Sequence, residues 1–304
     1  MFKAVLLAAI FTAISALISK ADTSEGWQRS PDGETIVLPF LHAPYPHSSR
    51  ADGHVYQGKM YDREGHYLDS SVGIFIPAGF VPGKDVHYVV HFHGWNNSVA
   101  GALKQYRLRE QFHEAGFNAV LIVPEGPKNA PDSGGGKLEN DPGAFRLLIG
   151  EITDYLNTEG KIHTHKVGKI VLSTHSGGYA VTGGILKLGG LTDHITDVLL
   201  FDSTYGYLDQ FAGWISERKG RRLFSIFTEH LAPENYTLIT QLQKLNTDFT
   251  ARLDTDMTDD GLRKRAALIF HTTTIEHDEI MQKTNLFARL LRTSVLPAQS
   301  VRAD

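Results

Sequence analysis

The sequence contains no cysteine among its 304 residues. The chain therefore cannot form disulfides or use a thiol as its nucleophile. It also has no excess of basic charge, because 30 lysines and arginines stand against 34 aspartates and glutamates, for a formal net charge of −4. Proteins that bind nucleic acid through its phosphates need a basic surface, so nucleic acid is not expected as a partner.

Only one long hydrophobic run is present, and it lies at the beginning of the sequence. Residues 4 to 19 are apolar, follow Lys3, and lead to small residues before a possible cut after Ala21. This arrangement is typical of a secretory signal peptide, and an uncleaved membrane anchor is the alternative. We therefore predict a signal peptide at residues 1 to 21 and a secreted or periplasmic protein with no stable membrane span after cleavage.

Residues 22 to 304 contain no internal repeat, low-complexity tract or obvious linker, which favours one domain. Short runs rich in β-forming residues alternate with longer runs of helical spacing. This alternation predicts βαβ crossovers, and hence an α/β fold with a mostly parallel central sheet and helices on both faces. An alternative for the polar stretch from about 230 to 262 is that it forms a small cap.

The expected elements follow from the spacing of apolar residues and from turn signals. Strands are predicted at 35–40, 54–62, 71–80, 87–95, 118–126, 169–174, 197–202, 223–229 and 266–273. The first of these are expected to be antiparallel. Helices are predicted at 99–115, 144–156 and 279–292, with one more starting near residue 177, and a loop is predicted at 131–143.

The clearest chemical motif is Ser173-Thr174-His175-Ser176-Gly177-Gly178. A buried strand runs into it and a helical run follows, so Ser176 is predicted to lie on a tight strand-to-helix turn. Its hydroxyl would be exposed above the sheet, and the N-terminus of the helix would supply amides for a developing oxyanion. The alternative is a turn or phosphate-binding loop with an incidental serine.

This motif resembles the G-x-S-x-G nucleophile elbow of α/β-hydrolases, although Thr174 stands where the pattern has its first glycine. A second motif, His93-Gly94-Trp95 at the end of a predicted strand, resembles the HG-type motif of lipases and esterases of this fold. The resemblance implies an oxyanion hole formed by backbone amides near Gly94, Trp95 and Gly177. A packing role for His93 is the alternative.

The same resemblance implies that an acid and then a histidine follow the serine along the chain. His277 comes after the last predicted strand and before a helix, where the family has its base, and His271 and His230 are rivals. Two carboxylates end strands between the serine and His277. Asp202 is preferred as the acid, and Glu229 is the alternative.

A metal centre is the other chemistry considered, because His87, His91 and His93 share one face of a predicted strand. Metallo-β-lactamase-like hydrolases continue such a motif with Asp-His, whereas this chain continues Gly94-Trp95. No metal and no cofactor are therefore predicted.

Together these features predict a serine hydrolase, carboxylesterase- or lipase-like, that cleaves carboxylic esters through an acyl-enzyme. Its partner would be a small-molecule or polymer ester. Aromatic residues such as Tyr179 and Tyr205 could line the substrate pocket or serve only in packing. The alternatives are a peptidase or amidase of the same fold, and a non-catalytic α/β-hydrolase-fold binding protein.

Overall fold

The structure is a computed structural model that describes residues 26 to 299, so the predicted signal peptide at residues 1 to 21 lies outside the described residues. In the described range, no helix is both long and apolar enough to cross a membrane. The strands are β1 Gln28–Ser30, β2 Gly33–Pro39, β3 His54–Tyr56, β4 Lys59–Tyr61, β5 Ser71–Pro77, β6 Val86–Phe92, β7 Val120–Pro124, β8 Val167–His175, β9 Ile195–Phe201, β10 Arg222–Phe227, β11 Phe249–Leu253 and β12 Ala267–His271.

The α-helices surround these strands, and short 3-10 turns connect several of them. They are α1 Arg63–His66, α2 Val99–Gln105, α3 Leu108–Ala115, α4 Gly136–Asn140, α5 Ala144–Thr158, α6 Tyr179–Leu188, α7 Leu208–Glu217, α8 Ala232–Lys244, α9 Asp259–Leu262 and α10 Leu286–Arg292.

Ten of the strands form one central sheet in the order β1-β2-β5-β7-β6-β8-β9-β10-β12-β11. The pairs on the β1 side, as far as β5 with β7, are antiparallel. Every pair from β7 to β11 is parallel. Strands β3 and β4 form a separate hairpin.

The sheet is covered on both faces, as expected for parallel strands whose apolar residues point to both sides. In β6, for example, Tyr88 and Val90 belong to one buried cluster and Val89 belongs to the other. Helices α5 to α8 pack on the first face, and α2, α3 and α10 pack on the second. The predicted fold class, a mostly parallel sheet between two layers of helices, is confirmed.

Two predicted helices are shorter than expected because the backbone breaks them. The predicted helix at 99–115 is divided into α2 and α3, since Arg107 between them has a left-handed φ of 48°. The predicted helix at 279–292 becomes regular only at α10, because Thr284 and Asn285 have φ of 66° and 50°. Neither break is marked by glycine or proline, which are the usual sequence signals for one.

Three other segments differ from, or add detail to, the expected elements. Residues 54–62, predicted as one strand, turn back at Gln57 and Gly58 to form the β3–β4 hairpin. The predicted loop at 131–143 contains α4. The stretch 230–262, which was considered as a possible small cap, contains α8, α9 and the edge strand β11. Strand β11 pairs with β12.

A buried ion cluster lies near the amino ends of β9 and β10. The Nε atom of Arg222 is 2.7 Å from Asp197 Oδ1, and both side chains are fully buried. Asp197 also accepts hydrogen bonds of 2.9 and 3.0 Å from Arg265. Burial would raise the pKa of Asp197, but the two guanidinium groups outweigh burial and lower it. The guanidinium of Arg222 also donates to the carbonyl oxygens of Leu262 and Leu290, which joins this end of the sheet to α9 and α10.

Replacing Asp197 with alanine should destabilise the fold strongly, because a buried guanidinium would lose its counter-charge. We expect the free energy of unfolding to fall by about 3–5 kcal/mol in urea denaturation. The matched control is Asp193→Ala, because Asp193 pairs with Arg218 at the surface, where its side chain is 85% exposed. That control should leave stability unchanged, and equal losses in the two variants would contradict a structural role for the buried cluster.

Candidate active site

Ser176 lies at the point where the chain leaves β8 and turns into α6. Its φ of 52° is left-handed, which is uncommon for a residue other than glycine. The hydroxyl of Ser203, a buried residue, donates to the carbonyl oxygen of Ser176 at 2.6 Å and supports this conformation. The strand, turn and helix that the sequence predicts around Ser176 are therefore present.

The chain at Gly94 passes directly beside Ser176. A Cβ atom on Gly94 would lie only 2.7 Å from Ser176 Cβ and 3.2 Å from Ser176 Oγ, so a side chain there would collide with the serine. A Cβ atom on Gly177 would lie 2.6 Å from Cδ1 of Trp95, whose Nε1 donates to Ser133 Oγ at 2.7 Å. The three residues assigned to the oxyanion hole thus adjoin Ser176 and one another.

A buried pair beneath this loop fixes its position. His93 Nε2 lies 2.8 Å from Glu125 Oε1, and His93 Nδ1 donates to the carbonyl oxygen of Gly94 at 2.8 Å. Burial alone would lower the pKa of His93, but the hydrogen bond and charge of Glu125 outweigh burial and raise it. His93 therefore does more than fill space, because it holds the backbone beside Ser176.

Asp202 follows β9 directly, and its side chain is fully buried. His277 Nδ1 lies 2.6 Å from Asp202 Oδ2, and the backbone and hydroxyl of Thr228 donate to the two carboxylate oxygens at 2.8 Å. Burial would raise the pKa of Asp202, but the hydrogen bonds from His277 and Thr228 outweigh burial and lower it. An ionised Asp202 holds the Nδ1–H of His277, which leaves Nε2 of a neutral ring free to accept a proton.

The alternative acid lies elsewhere. Glu229 has a side chain that is 86% exposed, and its Oε2 is 3.1 Å from His271 Nε2. The structure therefore brings Asp202, and not Glu229, to His277. Of the rival bases, His271 pairs with Glu229, whereas His230 lies beside Tyr205 with its ring centroid 5.6 Å from that of His277.

His175 is a residue of this site to which the sequence analysis gave no role. Its ring is fully buried, Nε2 donates to the carbonyl oxygen of His277 at 2.9 Å, and Nδ1 accepts from the hydroxyl of Tyr106 at 2.9 Å. Burial and the neighbouring His277 lower the pKa of His175 to about 4, so the ring stays neutral near pH 7. It anchors the backbone of His277, and the only hint in the sequence is its place next to Ser176.

Ser176, Gly177 and His277 line one cavity of about 500 Å³. Its walls combine aromatic rings with carboxamide groups, from Trp95, Tyr106, Tyr179, Tyr205, Asn96, Asn97 and Gln105. Such a cavity can take a ligand group that has both a ring face and hydrogen-bonding atoms.

His87 and His91 of β6, and His93 just after it, each contact a different partner, namely the backbone of Lys169, Ser173 and Glu125. Within residues 26 to 299, a single group of three side chains could share a metal ion, and it consists of Asp202, His230 and His277. The facing atoms of these three side chains are already linked by hydrogen bonds, directly or through Thr228. The absence of a metal in the working protein stays a prediction.

No family model and no curated protein matches this chain by sequence. Its fold, in contrast, occurs in many solved structures. The feruloyl esterase module from Clostridium thermocellum, complexed with sinapinate, is 10% identical; the match covers 90% of this chain and 95% of that one, with a TM-score of 0.50.

Two further structures are similar to the same degree. Fluorophosphonate-binding serine hydrolase F of Staphylococcus aureus is 12% identical, with 86% and 99% of the two chains covered and a TM-score of 0.50. The CE1 ferulic acid esterase from Anaeromyces mucronatus is also 12% identical, with 91% and 94% covered and a TM-score of 0.50. At such identities the likeness shows the fold alone. The chain has the α/β-hydrolase fold.

Gly94→Ala should abolish most of the activity of this site, because the added methyl group would displace Ser176 or the adjoining loop. We expect kcat/KM for an ester substrate to fall by about 10²-fold, the scale of losing one oxyanion donor. The control is Gly213→Ala, since a Cβ atom at Gly213 in α7 meets nothing within 4 Å. Normal turnover of a folded Gly94→Ala protein would show that the loop at Gly94 is not part of the site.

Proposed function

We propose that this protein is a serine hydrolase that cleaves carboxylic esters, with Ser176 as nucleophile, His277 as general base and Asp202 as the acid that orients the base. The observation that carries the proposal is the 2.6 Å hydrogen bond between His277 and the buried carboxylate of Asp202, at a cavity that Ser176 also lines. A serine on a strained turn beside such a pair is the arrangement that nucleophilic catalysis requires.

In the proposed reaction, Ser176 Oγ attacks the ester carbonyl carbon while its proton passes to His277 Nε2. Asp202 stabilises the imidazolium that forms, because its carboxylate accepts the hydrogen bond from Nδ1. Backbone amides near Trp95 and Gly177 stabilise the negative oxygen. The proton then passes to the leaving alcohol, and water attacks the acyl-enzyme by the same steps to release the acid and restore Ser176.

The cavity suggests which esters to test first. Its aromatic and carboxamide lining suits an acyl or alcohol group that carries a ring and hydroxyls. Two of the similar structures are a feruloyl esterase module and a ferulic acid esterase, which points the same way. We therefore propose aromatic acyl esters, free or attached to a polymer, as the first substrate class. A screen should place them beside aliphatic esters and aminoacyl amides, and preference for the amides would move the proposal to a peptidase or amidase.

Ser176→Ala should remove both ester hydrolysis and covalent labelling by a fluorophosphonate, because no other group would form the acyl or phosphonyl bond. The labelled protein can be measured by in-gel fluorescence and the labelled peptide by mass spectrometry. Ser30→Ala is the control, since Ser30 lies at an exposed strand end. Labelling that persists in a folded Ser176→Ala protein would disprove the nucleophile.

Asp202→Asn should lower kcat by about 10²-fold or more, because an amide would favour the wrong tautomer of His277. Glu229→Gln should cost less than about 10-fold, as expected for a polar group outside the triad. Steady-state kinetics would be compared after circular dichroism and thermal melting show that both variants fold. The reverse ranking in folded proteins would transfer the role of acid to Glu229.

A further inference from the structure

A second histidine is connected to the same buried carboxylate. The hydroxyl of Thr228 donates to Asp202 Oδ2 at 2.8 Å, and His230 Nδ1 lies 2.6 Å from that hydroxyl oxygen. His230 Nε2 lies 2.8 Å from the hydroxyl of Tyr205, and Tyr205 lines the same cavity as Ser176. A chain of hydrogen bonds therefore joins the carboxylate to Tyr205, in the cavity that Ser176 lines, by a route that bypasses the base assigned above.

The direction of each hydrogen bond in this chain follows from counting protons. Thr228 has one hydroxyl hydrogen, which the carboxylate of Asp202 takes, so its oxygen must accept from Nδ1–H of His230. A neutral His230 then has a bare Nε2, which accepts the hydroxyl hydrogen of Tyr205. The oxygen of Tyr205 keeps a lone pair that can take a proton from Ser176 across the cavity, and each group has one consistent role.

The surroundings of Tyr205 and His230 favour this chain of hydrogen bonds. Burial and the charge of Asp202 raise the pKa of Tyr205 to about 12, so the side chain stays a phenol that can pass a proton on. The ring of Tyr205 packs on Tyr179 with 5.7 Å between centroids. The ring of His230 is half exposed, and its centroid lies 5.6 Å from that of His277. The two histidine rings therefore lie side by side, on the loops that follow the neighbouring strands β10 and β12.

We propose that His230, acting through Tyr205, is a second general base for Ser176. The inference rests on the function proposed above. As Ser176 Oγ bonds to the carbonyl carbon, its proton moves to the oxygen of Tyr205 while the hydrogen of Tyr205 moves to His230 Nε2. The imidazolium is stabilised by Asp202 through Thr228. When the tetrahedral intermediate collapses and the bond to the alcohol breaks, the proton returns through Tyr205 to the leaving oxygen.

The test begins from His277→Ala, in a buffer free of imidazole, so that the residual rate reports the second route. Adding His230→Gln or Tyr205→Phe should lower the residual rate of fluorophosphonate labelling by at least about 10-fold. Combining both should cause no further loss, because two members of one route are not additive. His165→Gln is the control in the same background, since His165 is exposed and pairs with Asp154.

If His230 and Tyr205 served only in packing, the result would be different. The substitutions would lower the thermal stability of the protein, but they would leave the residual labelling rate of folded His277→Ala protein unchanged, and that result overturns the proposal. A loss with Tyr205→Phe but not with His230→Gln also overturns it, because Tyr205 would then act alone. Hydrolysis that survives Ser176→Ala would instead show that the proposed function itself has failed.

Discussion

The carboxylate of Asp202 is the group on which the arrangement of the candidate site depends. Its side chain is fully buried, so a charge there needs hydrogen bonds to offset the lost hydration. Three donors supply them, two from Thr228 and one from His277. Because Thr228 follows β10 and His277 follows β12, one buried charge fixes two loops relative to β9. A change in either loop would therefore disturb the hydrogen bonds that hold this carboxylate.

The register of the parallel strands explains why such distant residues meet. Phe201 at the end of β9 pairs with His175 of β8 and with Ile226 of β10, and Phe227 pairs with His271 of β12. The residues that follow these positions leave the sheet at the same edge and within one or two residues of the same height. Open α/β sheets bind ligands at this edge, beyond the carboxyl ends of the strands. Backbone pairing thus brings residues that are far apart in sequence to one edge of the sheet, and the hydrogen bonds of Asp202 complete their arrangement.

Local patterns in the sequence were enough to predict the sheet, the turn at Ser176 and the position of His277 after the last inner strand. They favoured Asp202 as the acid but left Glu229 as an alternative, since each follows a strand of the same character. The difference is tertiary, because Asp202 adopts a left-handed φ of 48° and is buried, whereas Glu229 is exposed. The anchoring role of His175 was also hidden, because its partner Tyr106 comes from the segment between α2 and α3.

The threonine at the first position of the elbow motif shows how a departure from a pattern can be compensated nearby. Thr174 is fully buried in β8, and a Cβ atom on Gly178 would lie 2.1 Å from Thr174 Oγ1. The space that the motif usually gains from glycine at the first position is supplied here by Gly178. The Thr174 hydroxyl also lies 3.4 Å from Ser203 Oγ, which donates to the Ser176 carbonyl. The steric requirement of the elbow therefore applies to positions 174 and 178 together and not to either one alone. A search that demands glycine at the first position of the motif would miss this chain.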